Sequence, residues 1–175
     1  MTMVLRTGES VEDLVSTGNT SCPGCGGALR KWGWARWRVV RDVNGEWGLR
    51  PSRVRCGDCG VTHVVLPAEV LVRRRDAMAV VGRAWRSFAD GSGARRVARA
   101  LGVPMETVRG WLRRLRALAR ERYGPAEIMD PPALRTALIF VVREASRAGY
   151  HDEADLWRFV AYRSQGRLLY NTSWP

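Results

Sequence analysis

Two copies of one short motif, Cys22-Pro23-Gly24-Cys25-Gly26 and Cys56-Gly57-Asp58-Cys59-Gly60, leave this chain few ways to fold around them. A tight turn in each knuckle lets both of its thiolates face one ion. The glycine after the second cysteine suits backbone that must swing N–H groups toward sulfur. Four thiolates from Cys22, Cys25, Cys56 and Cys59 in a tetrahedral shell select zinc and leave no position for water, so a structural Zn2+ site is expected. A redox C-x-x-C would need a thioredoxin-like βαβ context, which the flanking pattern does not supply. His63, four residues after Cys59, competes as a ligand but reads better as a plain strand histidine. A hairpin between the knuckles is too small to bury its own core, so the metal is expected to hold it together.

The pattern around the knuckles divides the chain. Ser10 with Asp13 three residues on reads as the cap of one or two helical turns, and Gly18 to Ser21 as a linker. Between the cysteine pairs Trp32, Trp34, Trp37, Val39 and Val40 favour strands. Asn44-Gly45 is a hairpin turn, Trp47 to Arg55 returns, and Thr62 to Leu66 forms a last strand ended by Pro67. From about Asp76 the period becomes helical, with Ala77, Val81, Ala84 and Phe88, until Gly91-Ser92-Gly93. A short helix over Ala94 to Leu101 ends at Gly102. A longer one from near Pro104 to Tyr123 carries Val108, Trp111, Leu115 and Leu118 on one face. Gly124-Pro125 and Asp130-Pro131-Pro132 bracket a linker. The tail is helical again from Ala133, apolar nearly all round through Val142 and therefore expected to be buried, with a second helix over about Glu153 to Tyr162. The expected fold is mainly α with a small β zinc ribbon. Its parts are a short helix and linker (1–20), a four-cysteine zinc ribbon (21–66), a helix-turn-helix domain (67–124) and a C-terminal helical packing or dimerisation segment (125–175).

The stretch ARRVARALGVPMETVRGWLR, residues 94–113, carries the helix-turn-helix signature in physical terms. Ala98 is small where two helices cross, Gly102 takes a left-handed turn, and Val97, Leu101, Val103, Val108 and Trp111 form the core that sets the crossing angle. In such a motif the early outward residues of the second helix meet base edges, here Met105, Glu106, Thr107, Arg109, Gly110 and Arg113. Arg109 and Arg113 suit guanine and Glu106 suits cytosine, whereas Arg95, Arg96, Arg99, Arg114 and Arg116 suit phosphate. Charge agrees with this. The 175 residues hold a formal +12, of which residues 73–122 contribute +10 and residues 30–60 a further +5. Lys31 is the lone lysine among these cations. Arg73-Arg74-Arg75 reads equally as a phosphate contact or as a charged linker.

The order C-P-x-C-G-G, a Trp- and Arg-rich hairpin, a second C-x-x-C-G, Leu-Pro, then L-G-V-P-x-x-T-V-R-G-W-L-R-R resembles a group of uncharacterised actinobacterial zinc-ribbon/helix-turn-helix proteins. It is also similar to the DNA-recognition end of insertion-sequence transposases. The likeness spans roughly Cys22 to Leu118 and rests on the cysteine pairs with Ala98, Leu101, Gly102, Val108 and Trp111. For the actinobacterial group it adds the closing Gly166-Arg167-Leu168-Leu169. It implies zinc and DNA binding. The chain departs from a full transposase in that no catalytic domain follows.

These features point to a DNA-binding protein rather than an enzyme. Asp130, Asp152, Glu153 and Asp155 suit capping and solubility better than a two-metal carboxylate cluster, and no phosphate-cradling G-x-x-x-x-G-K is present. A sequence-specific transcriptional regulator on double-stranded DNA is the leading expectation, with pairing of two chains as a homodimer. An accessory of a mobile element serving a separate recombinase, and a ribbon adaptor docking on RNA polymerase, are the alternatives. With no 18-residue apolar run and no secretory leader, the expected place is the cytoplasm, on the nucleoid.

Overall fold

Strand pairing around the knuckles, more than helix packing, sets the architecture of the computed structural model, which describes residues 2–6, 8–16, 21–123 and 131–169. In chain order the elements are β1 (Thr2–Val4), α1 (Val11–Ser16), β2 (Leu29–Trp34), β3 (Arg38–Asp42), β4 (Gly45–Leu49), β5 (Ser52–Cys56) and β6 (Thr62–Leu66). There follow α2 (Met78–Ala89), α3 (Ala94–Leu101), α4 (Met105–Tyr123), α5 (Pro131–Arg147) and α6 (Glu153–Arg163). The linkers expected at 18–20 and at 124–130 lie outside the described residues.

The expected class, mainly α with a small ribbon followed by a helix-turn-helix domain, is overturned. A four-stranded mixed sheet runs β1-β6-β5-β2, and β3 and β4 form a separate two-stranded sheet. The return strand after Asn44-Gly45 is broken at Arg50-Pro51. Its first half, β4, closes the hairpin with β3 (Asp42↔Gly45, Arg38↔Leu49). Its second half, β5, pairs with β2 (Leu29↔Cys56, Trp34↔Ser52). The remaining addition is β1, parallel to β6 with Thr2↔Val64 and Val4↔Leu66. A strand in this position is covered on both faces. Met3 enters the cluster of Leu14, Leu29, Val54, Cys56 and Val65, while Val4 enters that of Val40, Leu66, Val70 and Ala77.

The helices differ from expectation in the same way. The pair α3–α4 is present, joined through Gly102 at φ +62° and Val103, whose N–H donates to the Ala98 carbonyl. Val97, Ala98, Val103, Val108 and Trp111 are buried as the periodicity implies, but not in a core of their own. They belong to one cluster with Trp85 and Phe88 of α2 and Leu156, Trp157 and Phe159 of α6. The Trp85 Nε1–H donates to the Trp111 carbonyl at 3.0 Å and its ring meets Trp157 edge-on. The all-round apolar sequence of α5 implies full enclosure, yet Ile139 and Val142 are 46% and 37% exposed. This helix packs on α2, α4 and α6 and leaves its far side open.

Arg41 joins the two halves. Its guanidinium pairs with the buried carboxylate of Asp76 at 2.6 Å and donates to the Gly102 carbonyl at 3.2 Å, so one side chain of β3 holds the turn between α3 and α4. Among the described residues no helix is long and apolar enough to cross a membrane.

Candidate functional site

The register Leu29↔Cys56 sets the first knuckle beside the second. In the first, the Cys22 N–H donates to Gly27 and the Cys22 carbonyl accepts from Gly26, whose φ is +78°. In the second, the Cys56 N–H donates to Val61 and Gly60 takes φ +70°. The Gly57 N–H reaches the Ala28 carbonyl and ties one knuckle to the other. A side chain at Gly27 would meet the Asp58 carboxylate, which would have to turn away.

All four sulfurs lie within 4.8 Å of one another, with Cys22 to Cys59 at 3.7 Å and Cys25 to Cys56 at 3.4 Å. A tetrahedron with metal–sulfur bonds near 2.3 Å has sulfur–sulfur edges of about 3.8 Å. The cluster is therefore the size of a four-thiolate metal shell and can hold one ion. The N–H of Cys59 pulls the Cys56 thiol down to about 7. At Cys25 the Gly27 N–H acts in the same direction but is outweighed by the Cys59 and Cys56 sulfurs, which push that thiol up to about 12. Thiolates so close cannot all ionise without a cation between them.

His63, on β6, stands beside the four-cysteine cluster rather than within it. It is fully buried, with Nε2 3.4 Å from the Cys22 sulfur and Nδ1 without a hydrogen-bond partner. Burial lowers its pKa, which favours the neutral ring. The tautomer protonated on Nε2 donates to the sulfur, as outer-shell groups around metal thiolates do.

The second candidate surface is the outer side of α3 and α4. Arg95, Arg96, Arg99, Glu106, Arg109 and Arg113 are exposed, and Met105, Thr107 and Arg116 are half-buried. Met105 packs on the helical core. Arg109 and Glu106 form an ion pair at 2.6 Å one turn apart. A groove of about 470 Å³ runs beside them, lined among others by Arg74, Thr107, Gly110 and Arg113. Arg114 also lines this groove but is buried, and its Nε–H donates to the Leu168 carbonyl at 2.6 Å. Residues 111, 114, 115 and 118 share the inward side of α4, so the neighbour of exposed Arg113 serves to anchor the tail. The Gly166–Leu169 segment is held there too, where the Val72 N–H donates to Gly166.

Two features of the surface have no counterpart in the sequence reading. Trp32, Trp34 and Trp37 are 51%, 52% and 59% exposed, with the Arg55 guanidinium 4.6 Å from the Trp32 ring centre. Arg38 of β3 turns its guanidinium inward toward Arg73, Arg74 and Arg75. Among the expected acids, Asp152 caps α6 by accepting from the Asp155 N–H at 2.8 Å, while Asp130 lies outside the described residues. Comparison with family models, with curated proteins and with solved structures finds no match to this chain, so its function is read from its own residues.

Proposed function

We propose that this protein binds double-stranded DNA in a sequence-specific way through the exposed side of α3 and α4, and that its four cysteines hold a structural Zn2+. The observation that carries the DNA reading is the arginine distribution. Five exposed arginines, Arg95, Arg96, Arg99, Arg109 and Arg113, stand on α3 and the first half of α4, and Arg113 lines the groove beside α4 together with Arg74, Glu106, Thr107 and Gly110. Planar guanidinium forks suit phosphate and guanine edges. The left-handed Gly102 between α3 and α4 is compatible with this reading.

Zinc is favoured by the donor set: four soft thiolates in a shell of tetrahedral size. The ion would be held by Cys22, Cys25, Cys56 and Cys59 and would supply folding free energy rather than chemistry. The protein acts in this reading by binding, as a transcriptional regulator.

Selection of sheared genomic DNA by the purified, metal-loaded chain at moderate salt, followed by sequencing, tests the reading. A recurring motif is expected. A flat, strongly salt-dependent profile would reduce the arginines to a non-specific grip and end the regulator reading. Metal analysis of the same preparation should give one zinc per chain.

A further inference from the structure

We infer that the concavity between β3 and residues 73–75 is a phosphate-binding site, formed by Arg38, Arg73, Arg74 and Arg75. It measures about 510 Å³ and is lined by these four arginines and Val39, with no carboxylate among the lining residues. On the exposed rim Glu46 pairs with Arg75 at 2.6 Å.

Arg38 is the strongest indication. Its Nε and Nη2 are buried with no hydrogen-bond acceptor. Buried donors are normally paired, and a charged donor left without an acceptor is more costly than a neutral one. Burial also disfavours the charged form of this guanidinium. An oxyanion seated in the concavity would supply both the acceptors and the counter-charge.

The opposite wall is held in place by backbone. The Arg41 N–H donates to the Arg75 carbonyl at 2.7 Å, and the Ala77 N–H to the Arg41 carbonyl at 2.8 Å, pinning residues 75–77 along β3. Arg73 takes φ +53°, a left-handed conformation that side chains other than glycine resist. Strain of this kind concentrates at ligand sites. Several guanidinium forks around one space match the many acceptor oxygens of a phosphate better than a single carboxylate.

A backbone phosphate and free phosphate offer the same chemistry. Position favours the backbone, because Arg74 lines both this concavity and the groove beside α4. That choice of source rests on the DNA-binding reading above, whereas the phosphate site itself does not.

The test uses the full metal-loaded chain, with Arg38→Gln and Arg73→Gln against Arg143→Gln, an exposed arginine on α5. Two readouts are needed: thermal melting in inorganic phosphate against chloride at matched ionic strength, and duplex affinity as a function of salt. Phosphate stabilises proteins generally by exclusion, so the difference between variants is what counts. The expected result is a phosphate-dependent rise in melting temperature that Arg143→Gln keeps and the other two lose. The slope of log affinity against log salt should fall by about one in Arg38→Gln. Loss of the phosphate response without any change in duplex binding, or with no duplex binding at all, keeps the site, assigns it to free phosphate and counts against the DNA reading of this groove. A full phosphate response and an unchanged slope in both variants overturn the proposal, even where the wild type binds duplex through α4. Should Arg38→Gln unfold, the exposed Arg73→Gln carries the same readouts.

Discussion

Arg73 and Gln165 are the two non-glycine residues with left-handed backbone among those described. For Arg73 the conformation costs about 1–2 kcal/mol relative to ordinary backbone. Arg73→Gly should therefore raise the stability of the phosphate-free protein by up to about 1 kcal/mol while weakening the phosphate response. A lower melting temperature instead would mean that the guanidinium contributes more to the free fold than its backbone costs. Cys56 sits at the opposite extreme, buried at the end of β5 with its thiol already lowered by the second knuckle. Cys56→Ser leaves three sulfurs, and loss of bound zinc with a much lower melting temperature is expected. Full metal content would show that the cluster does not need this ligand. His63→Ala should act more mildly, lowering metal affinity about 10–100-fold through the Cys22 sulfur, as outer-shell changes do. Competition with a chromophoric chelator measures it, and equal affinities would return His63 to a purely packing role.

Helices were readable from the sequence because their signals are local. Ser10 accepts from the Asp13 N–H while Asp13 accepts from the Ser10 N–H, the reciprocal cap expected of that pair. The glycines at 91, 93 and 102 end or separate helices where the periodicity stops. Strand partners were not readable in this way. Nothing near Thr2–Val4 indicates a parallel neighbour sixty residues away, and nothing near Trp47 indicates that the return strand divides between two sheets. The site divides along the same line. Four cysteines could be found from spacing alone, whereas the inward turn of Arg38 and the burial of Arg114 depend on tertiary neighbours. Gly82 shows how unforgiving those neighbours are: a Cβ there would overlap the Trp157 indole, rigid and buried on α6. Gly82→Ala improves helix propensity by about 1 kcal/mol, yet overpacking of this kind costs about 3 kcal/mol. A net loss in denaturant melts is expected, and a gain would mean that α6 can shift away. The cap of α6 adds a pH dependence. The Asp155 N–H holds the Asp152 carboxyl below its ordinary value. Its stabilisation is complete above the unfolded value of about 3.9 and is lost as pH falls through the lower folded value. Asp152→Asn should flatten that acid limb.

Charge and core act together at the scale of the whole molecule. Residues 73–122 carry +10 of the net +12, and most of α4's outward arginines lie within that stretch. Arg109→Ala should cost about 1–3 kcal/mol on a selected site and little on random duplex. The exposed pair with Glu106 is worth little in water and so is no obstacle to base contact. Equal losses on both DNAs would make Arg109 a phosphate contact. The last expectation concerns how far the metal's influence reaches. Val4, Val40, Leu66, Val70 and Ala77 form one apolar cluster in which the strands and the start of α2 share a core. Arg41 bridges β3 to Asp76 and Gly102, and removing one partner from such a pair costs roughly 3 kcal/mol when it is buried. A metal that fixes the knuckles should therefore stabilise α3 and α4 as well, although they contribute no ligand. In the loaded protein, tryptophan fluorescence and helical circular dichroism should report one transition at one temperature. Chelation should move both downward together, and Arg41→Ala should uncouple them. Helical dichroism that melts at the same temperature with and without metal would show instead that the helices are stable independently of the thiolate cluster.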